Sequence, residues 1–233
     1  MLSTRFKDDS IVEIGIDEAG RGSFWGPIMA GAMIIPDKST WTDKQRKLLS
    51  ELKDSKKISP KKREKIADEI KELIPKTATG IVTAKEINDN GITWANIEAF
   101  RRAIINLSED KTTRLLIDGA LDVNEWSGEQ EIIENGDAKY LAIAGASILA
   151  KVEHDRWITQ FCEENPEIND RYDLIKSKGY GTTKHRDGIR NYGAHELHRS
   201  LYIQNWLPGT TQKVKSRKKS TADKDQCLIN FKV

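Results

Sequence analysis

Residues 14–22 read IGIDEAGRG, an apolar, strand-like run that leads two adjacent carboxylates into a glycine-flanked arginine turn. Carboxylates at the end of a strand can hold a hard divalent cation such as Mg²⁺ through their oxygens. The glycines let the backbone approach a ligand closely, and the planar guanidinium of Arg21 matches phosphate oxygens. This stretch therefore predicts metal-assisted chemistry on a nucleic-acid backbone.

Composition narrows the class of protein further. The 233 residues include 32% charged side chains but carry a formal net charge of only +2, so the placement of charge matters more than its sum. Basic residues concentrate at 44–65 and 213–219. Such clusters often contact phosphates, although a solvated helix face accounts equally well for the first one. A chain of this length suits one large domain or two small ones.

The two cysteines, Cys162 and Cys227, lie far apart and lack the spacing of a zinc site or a disulfide framework. The N-terminal residues form no apolar leader, and no apolar stretch approaches the length of a membrane span. We therefore expect a soluble, intracellular protein of the cytoplasm that acts as a monomer.

Strand-like and helix-like patterns alternate along the chain, which predicts an α/β fold with a mixed sheet flanked by helices. Strands are predicted at 11–16, 28–35, 78–84 and 115–117, and helices at 43–52, 59–73, 93–107 and 145–163. The helix over 93–107 has the clearest amphipathic pattern. Its apolar side is predicted to carry Trp94, Ile97, Phe100, Ile104 and Leu107.

The character of the chain changes after Pro208-Gly209. Residues 209–226 contain almost no apolar side chains and several lysines and arginines. Such a segment cannot bury enough surface to order itself. We predict a catalytic domain over residues 1–208, helical in its C-terminal portion, and a flexible basic tail over residues 209–233.

Two further acids occupy positions like that of Asp17. Asp118 follows an apolar strand and precedes a glycine, and Asp137 lies in a turn before a long helix. A turn explains either aspartate alone more simply, whereas the adjacent pair Asp17-Glu18 favours a function because burying unpaired charge is costly. Four carboxylates brought together could not stay ionised without cations. Two Mg²⁺ ions among them would support in-line phosphodiester hydrolysis.

Six segments in order along the chain carry a specific likeness. They are GIDEAGRG at 15–22 with Gly26-Pro27, DSKK at 54–57, IDG at 117–119, GDA at 136–138, ASILAKV at 146–152, and KGYGT at 178–182 with His185. On these motifs the chain resembles ribonuclease HII, the type 2 ribonuclease H family. The likeness covers nearly all of residues 11–200.

The resemblance implies a ribonuclease H-like fold and a catalytic, two-metal site of Asp17, Glu18, Asp118 and Asp137 that uses Mg²⁺ or Mn²⁺. Members of the family cut the RNA strand of RNA–DNA hybrids. They also nick duplex DNA on the 5′ side of an embedded ribonucleotide, leaving 3′-hydroxyl and 5′-phosphate ends.

The resemblance also assigns substrate contacts. The turn Gly20-Arg21-Gly22 is expected to grip the 2′-hydroxyl through its backbone, and Tyr180 to bond that hydroxyl and stack on the following deoxyribose. The 2′-hydroxyl is the group that distinguishes RNA from DNA at a site. Contacts to the phosphate backbone are expected from Ser55, Lys56, Lys57 and Lys151.

Three departures from the family pattern surround the turn. Ser23 stands where proline is usual, the pair Phe24-Trp25 is bulkier than expected, and His154 occupies a position where arginine is common. None of them removes a catalytic atom. They bear on junction preference, not on the reaction, and Trp25 is the tryptophan that could touch substrate.

Other residues have competing interpretations. Asp155 is an alternative fourth ligand, but its place in a helix beside Arg156 favours a structural salt bridge. His185 could shuttle protons, although a packed or surface histidine explains it more simply. His195 and His198 are interpreted as surface residues because no third metal ligand lies nearby.

Two rival functions come from other classes. A junction resolvase on the same fold also uses carboxylates and two metals, but it has no 2′-hydroxyl to detect with the Gly20–Gly22 turn and Tyr180. A catalytically silent hybrid-binding protein would not need all four carboxylates. A type 3 ribonuclease H is expected to carry an additional N-terminal domain, for which the early motif leaves no room.

The last residues resemble a docking peptide. In QCLINF at 226–231, Gln226, Ile229 and Phe231 match the Gln-x-x-Leu/Met-x-Phe spacing of peptides that bind bacterial sliding clamps. A short apolar peptide on a basic tether can dock into a pocket while its domain searches DNA. A fragment that packs on the parent domain is the alternative.

Deletion of residues 225–233 separates these alternatives. Cleavage of short oligonucleotides is expected to stay unchanged, while binding to the host's sliding clamp is lost in a calorimetric titration, because only the docking peptide is removed. A marked fall in melting temperature would show instead that the segment is structural.

Overall fold

The computed structural model describes residues 2–52, 58–108 and 113–209. Two groups of predicted site residues lie outside these ranges: Ser55, Lys56 and Lys57, and the tail with Gln226, Ile229 and Phe231. Within the described residues, no helix is both long enough and apolar enough to cross a membrane.

A mixed five-stranded sheet forms the centre of the fold, in the order β3-β2-β1-β4-β5. The three strands β1, β2 and β3 pair antiparallel, whereas β1 with β4 and β4 with β5 pair parallel. The strands are β1 Glu13–Ala19, β2 Ile28–Ile34, β3 Thr77–Val82, β4 Arg114–Asp118 and β5 Gln130–Ile133.

Helices cover both faces of the sheet, as the alternation of patterns predicts, and continue into a helical C-terminal portion. They are α1 Asp43–Glu51, α2 Pro60–Leu73, α3 Ala84–Asn90, α4 Ile92–Leu107, α5 Leu141–Glu164, α6 Pro166–Tyr172, α7 Leu174–Ser177, α8 Thr183–Tyr192 and α9 Ser200–Ile203. One apolar core joins α4 to one face of the sheet, and a second joins α1, α2 and α5 to the other. A third core gathers the C-terminal helices around Trp25.

Helix α5 lies unusually close to the sheet because glycines face it. A Cβ on Gly15 would lie 2.2 Å from the backbone carbon of Ala142, and one on Gly31 would lie 2.1 Å from the carbonyl oxygen of Ala146. Residues 141–150 of this helix are buried on every side, as expected for a helix that packs all round. This close packing sets α5 directly behind the strand that carries Asp17.

Helix α4 buries Phe100, Ile104 and Leu107 of its predicted apolar side, but the side that faces the sheet also includes alanines that the pattern did not mark. Trp94 is 39% exposed, whereas Ala95, Ala99 and Ala103 are fully buried. The reason is again a close approach, since a Cβ on Gly80 of β3 would lie 2.2 Å from the carbonyl oxygen of Ala99. Small residues therefore form the closest contact with the sheet, and the predicted Phe100 and Ile104 pack in the same core.

Several elements differ from the sequence-based expectation, with β1, α5 and β5 among them. Strand β1 continues to Ala19 because it pairs with β2 as far as Met29. Helix α5 begins at Leu141, four residues before the predicted start at Gly145. Strand β5, a short and half-exposed edge strand, has too weak an alternation to be recognised from the sequence.

The glycine packing gives a stability prediction. Gly31→Ala should lower the free energy of unfolding by about 1–3 kcal/mol, because the added methyl group overpacks the contact with α5. In a protein of this size, each kcal/mol lowers the melting temperature by about 2–4 °C. Gly22→Ala is the matched control, because its Cβ would lie 3.8 Å from Tyr180, an ordinary contact. Equal melting temperatures for the two variants would contradict the close approach of α5 at Gly31.

Candidate active site

Three aspartates converge at the carboxyl ends of the two central strands. Asp17 lies on β1 and Asp118 ends β4, and the parallel pairing of Ile16 with Ile117 places the two aspartates side by side. Asp137 lies in the short 3₁₀ turn Gly136–Ala138. One carboxylate oxygen from each aspartate lies within 4.8 Å of the other two.

A backbone hydrogen bond brings the third aspartate to the other two. The amide of Gly136 donates to Oδ1 of Asp118 at 2.8 Å. A Cβ on Gly136 would lie 2.5 Å from the terminal methyl of Ile143 on α5, so this side chain would have to shift to accommodate it. The turn that carries Asp137 is therefore held between β4 and the first turns of α5.

Glu18 lies outside this group of three, although the sequence predicted it as a fourth ligand beside Asp17. Because β1 runs on to Ala19, consecutive side chains alternate between the faces of the sheet. Asp17 accepts a hydrogen bond from Ser147 on α5, whereas Glu18 lies beside Asn96 on α4. Glu18 nevertheless lines the same cleft as Asp17 and Asp118.

The electrostatics of this group disfavour its negative charge. Burial, followed by the charges of Glu18 and Asp118, raises the pKa of Asp17 well above its usual value, against the hydrogen bond from Ser147. Burial and the charge of Asp118 also raise the pKa of Glu18, although the guanidinium of Arg21 opposes them. A bound cation would reverse these effects, and an all-carboxylate donor set suits Mg²⁺ or Mn²⁺.

A cleft of about 420 Å³ opens onto the carboxylates. Its walls bring together four of the predicted groups: the metal-site acids, the glycine-arginine turn, the lysine of the α5 motif and the tyrosine of the KGYGT motif. The lining residues are Asp17, Glu18, Ala19, Gly20, Arg21, Gly22, Arg63, Asp118, Ser147, Lys151 and Tyr180.

The glycine-arginine turn and the KGYGT motif lie side by side. Ser23 and Tyr180 form an antiparallel bridge. The carbonyl of Gly179 accepts from the amides of Phe24 at 2.8 Å and Trp25 at 3.2 Å. These contacts place the Tyr180 ring next to the turn and 5.5 Å from Nζ of Lys151.

Arg199 supports the glycine-arginine turn from behind, a role that the sequence analysis missed. Its side chain is 1% exposed, and burial lowers its pKa to about 10. No local pattern marks it, because its partners are distant backbone carbonyls. The guanidinium donates to the carbonyl oxygens of Gly20 (2.7 Å), Arg21 (3.0 Å), Gly26 (3.0 Å) and Pro27 (2.7 Å).

His154, one of the departures from the family pattern, packs against the same turn. A Cβ on Gly20 would lie 2.4 Å from Cδ2 of His154, and the φ of Gly20 is +84°, so glycine is required on both counts. Nε2 of His154 lies 3.5 Å from Oγ of Ser23, another departure. The two unusual residues therefore contact each other.

Asp155 has cationic partners and is not part of the carboxylate group. Lys151 binds its Oδ1 at 2.8 Å, and Arg63 lies 4.0 Å from its Oδ2. The expected salt bridge is thus present, but Arg156 is not the partner, since it pairs with Asp68 at 2.8 Å.

Two predictions about aromatic and imidazole residues are wrong. Trp25 is fully buried in the C-terminal core, away from the cleft, because it packs against the rings of Phe161 and Tyr172 at about 5.5 Å. His198 is 3% exposed, not a surface residue, since it packs edge-on against Trp25. His185 is buried, which agrees with the packed interpretation.

The crowding of carboxylates predicts an unusual stability effect. In metal-free protein, Asp17→Asn should raise the melting temperature, because it removes one of several repelling charges. The expected rise is about 2–4 °C, which corresponds to ~1 kcal/mol of stability in a protein of this size. Mn²⁺ should raise the melting temperature of the wild type much more than that of Asp17→Asn.

Asp155→Asn is the matched control, because it removes a carboxylate that already has cationic partners. This variant should lower the melting temperature and keep the full response to Mn²⁺. If the melting temperature fell as much in Asp17→Asn as in Asp155→Asn, the proposed repulsion among the carboxylates would be contradicted.

The sequence matches the Ribonuclease HII family over residues 14–205. A ribonuclease HII from Fusobacterium nucleatum is 40% identical over 206 residues, which cover 87% of this chain and 90% of that protein. One from Caldanaerobacter subterraneus is 37% identical over 195 residues, covering 84% and 75%.

Solved structures share the fold at lower identity. Ribonuclease H2 from Pyrococcus horikoshii superposes with a TM-score of 0.66 at 23% identity, covering 84% of this chain and 97% of that one. Ribonuclease HII from Archaeoglobus fulgidus, solved in complex with PCNA, has a TM-score of 0.62 at 22% identity, covering 91% and 98%. Bst-RNase HIII, solved with Mn²⁺, has a TM-score of 0.59 at 19% identity, covering 84% and 69%.

The family match and the fold agree with the likeness found in the motifs. The chain therefore belongs to the ribonuclease HII family and is a ribonuclease H, an endoribonuclease of RNA–DNA hybrids with a ribonuclease H-like fold.

Proposed function

We propose that this enzyme is a divalent-metal-dependent ribonuclease that also nicks duplex DNA on the 5′ side of an embedded ribonucleotide. The observation that carries the proposal is the bridge between Ser23 and Tyr180, which puts the glycine-arginine turn and the tyrosine on one wall of the carboxylate cleft. A site with both features can detect a 2′-hydroxyl next to the position where phosphodiester chemistry occurs.

Asp17, Asp118 and Asp137 are the proposed metal ligands, with Glu18 as a fourth acid at the cleft wall. Bound Mg²⁺ or Mn²⁺ ions supply an activated water and charge stabilisation of the leaving oxygen, which yields 3′-hydroxyl and 5′-phosphate ends. The hydrogen bonds from Ser147 to Asp17 and from Gly136 to Asp118 hold the carboxylates in position.

Substrate recognition is proposed to come from the opposite wall. The backbone of Gly20, Arg21 and Gly22 contacts the 2′-hydroxyl, and Arg199 keeps the turn in place by binding its carbonyls. Tyr180 stacks on the deoxyribose that follows. Lys151, which lines the cleft, contacts the phosphate backbone. We assign the same backbone contact to Ser55, Lys56 and Lys57.

Among rival functions, a junction resolvase would leave Tyr180 and the turn without a task, and a silent hybrid-binding protein would leave the repelling carboxylates uncompensated.

We further propose that the enzyme acts as a monomer in the cytoplasm. The clamp-like peptide with Gln226, Ile229 and Phe231 is proposed to bind the host's sliding clamp. The Archaeoglobus fulgidus ribonuclease HII solved with PCNA gives a precedent for such a partner.

A single cleavage assay tests the main proposal. Duplex DNA with one embedded ribonucleotide should be nicked at its 5′ side with Mg²⁺ or Mn²⁺, and chelation should abolish the reaction. Asp118→Asn should lower the rate by about 100-fold or more, because a metal ligand contributes to several kcal/mol of charge stabilisation. An enzyme that cleaves continuous hybrids but leaves this duplex intact would contradict ribonucleotide nicking.

Tyr180→Ala should reduce kcat/KM for the single ribonucleotide about tenfold more than for continuous RNA, since an aromatic stack on nucleic acid is worth ~1–3 kcal/mol and the single site offers one junction. Tyr180→Phe keeps the ring and separates stacking from hydrogen bonding. Equal losses on the two substrates would contradict junction sensing by Tyr180.

A further inference from the structure

Two buried histidines connect the KGYGT motif to the chain segment behind the glycine-arginine turn. The amide of His195 donates to Nδ1 of His198 at 2.8 Å. Nε2 of His198 lies 3.0 Å from Nε2 of His185, and Nδ1 of His185 lies 3.0 Å from the carbonyl oxygen of Tyr180. These contacts form one continuous row of hydrogen bonds.

The two ends of the row fix the proton on each ring. A backbone amide can only donate, so Nδ1 of His198 must accept, and the proton of a neutral His198 lies on Nε2. That proton points to Nε2 of His185, which must therefore accept, and the proton of His185 lies on Nδ1. The carbonyl of Tyr180 can only accept, which completes the row in the same direction.

The surroundings keep both rings neutral. Burial lowers the pKa of His185 to about 4, against the hydrogen bond with the Tyr180 carbonyl and then the charge of Asp173, which both raise it. Burial, and then the neighbouring His185, lowers the pKa of His198 to about 3. The ring of Tyr172 lies edge-on to His198 at 4.7 Å, and the ring of Trp25 does so on another side.

The carbonyl at the end of the row belongs to a strained turn. Lys178 and Gly179 have φ values of +49° and +77°, so the backbone before Tyr180 is left-handed at two successive residues. The Tyr180 carbonyl accepts from His185 and from the amide of Thr182 at 2.8 Å. The orientation of the peptide that follows Tyr180 therefore depends on this histidine.

The other end of the row leads directly to the glycine-arginine turn. His198 forms a bridge with Trp25, and the next residue, Arg199, donates its amide to the carbonyl of Phe24 at 2.8 Å. Arg199 also holds the carbonyls of Gly20 and Arg21. The same short segment thus positions both recognition elements.

We propose that His185 and His198 form a positioning relay that sets Tyr180 relative to the Gly20–Gly22 turn and thereby determines selectivity for the ribonucleotide–deoxyribonucleotide junction. The proposal rests on the function proposed for Tyr180. Neither histidine is a catalytic residue, because each acts through the backbone that it binds.

The proton arrangement is measurable without any activity assay. The chain has four histidines, so ¹⁵N NMR of the full-length protein, assigned with single variants, resolves each ring. At neutral pH, His185 should be the neutral Nδ1–H tautomer and His198 the neutral Nε2–H tautomer. A charged ring, or the opposite tautomer at His185, would overturn the relay.

Substitutions at His185 separate positioning from packing. His185→Asn places an amide donor where Nδ1 lies, whereas His185→Leu fills space without a donor. His185→Leu should lower the ratio of kcat/KM for a single ribonucleotide to kcat/KM for continuous RNA by about 5- to 10-fold, the effect of one lost hydrogen bond. His185→Asn should restore the ratio to within about threefold of the wild type.

His195→Ala is the control for packing, because it removes an imidazole that lies against Trp25 and accepts from the amide of Leu197 but keeps the backbone amide that starts the row. Its substrate ratio should equal that of the wild type. A folded His185→Leu with an unchanged ratio, or a His185→Asn as impaired as His185→Leu, would overturn the relay. If His185→Leu does not fold, the tautomers and the His185→Asn ratio decide the question.

Failure of the relay and failure of the proposed function give different results. If the wild type does not nick the single-ribonucleotide duplex, the proposed function fails, whatever the tautomers are. If the wild type nicks it and the His185 variants leave the ratio unchanged, only the relay fails.

Discussion

Asp17, Asp118 and Asp137 bring carboxylate oxygens within 4.8 Å of one another, with Asp17 and Asp137 buried and Asp118 partly exposed to the cleft. Such an arrangement costs free energy in the absence of a cation, because burial and like charges both oppose ionisation. The fold maintains it through packing that leaves no room for relaxation. The backbone of α5 lies against Gly15 and Gly31, and the turn of Asp137 is held by the amide of Gly136. Packing of the surrounding fold thus opposes the repulsion that burial and like charge create among these carboxylates.

Two charged side chains near the three aspartates differ from them in having their charge satisfied within the protein. Asp155 has Lys151 and Arg63 as partners, so its partly buried carboxylate is compensated within the protein. Arg199 is also buried, but it binds four neutral carbonyls. A buried guanidinium can satisfy its five donors in this way without a carboxylate. It thus holds the glycine-arginine turn without adding a negative charge beside the carboxylate group.

The sequence was sufficient for the fold class and for the convergence of the aspartates, because strand ends of a central sheet meet at one edge. It could not place Glu18, since that required knowing that β1 continues to Ala19. It missed the alanine face of α4, because amphipathic patterns reward large residues and this contact needs small ones. Arg199 and the pairing of His185 with His198 depend on contacts between distant segments, which no local pattern records.

The departures from the family pattern are explained by one another. Ser23 contacts His154, which fills the space under Gly20. Phe24 covers Gly181, where a Cβ would lie 2.4 Å from its ring, and Trp25 fills the C-terminal core. All of these residues lie behind the cleft wall and support the turn and Tyr180 from the protein side. Because a change in this support would move the turn and Tyr180 without removing a catalytic atom, we expect it to alter the proposed junction preference more than the rate of hydrolysis.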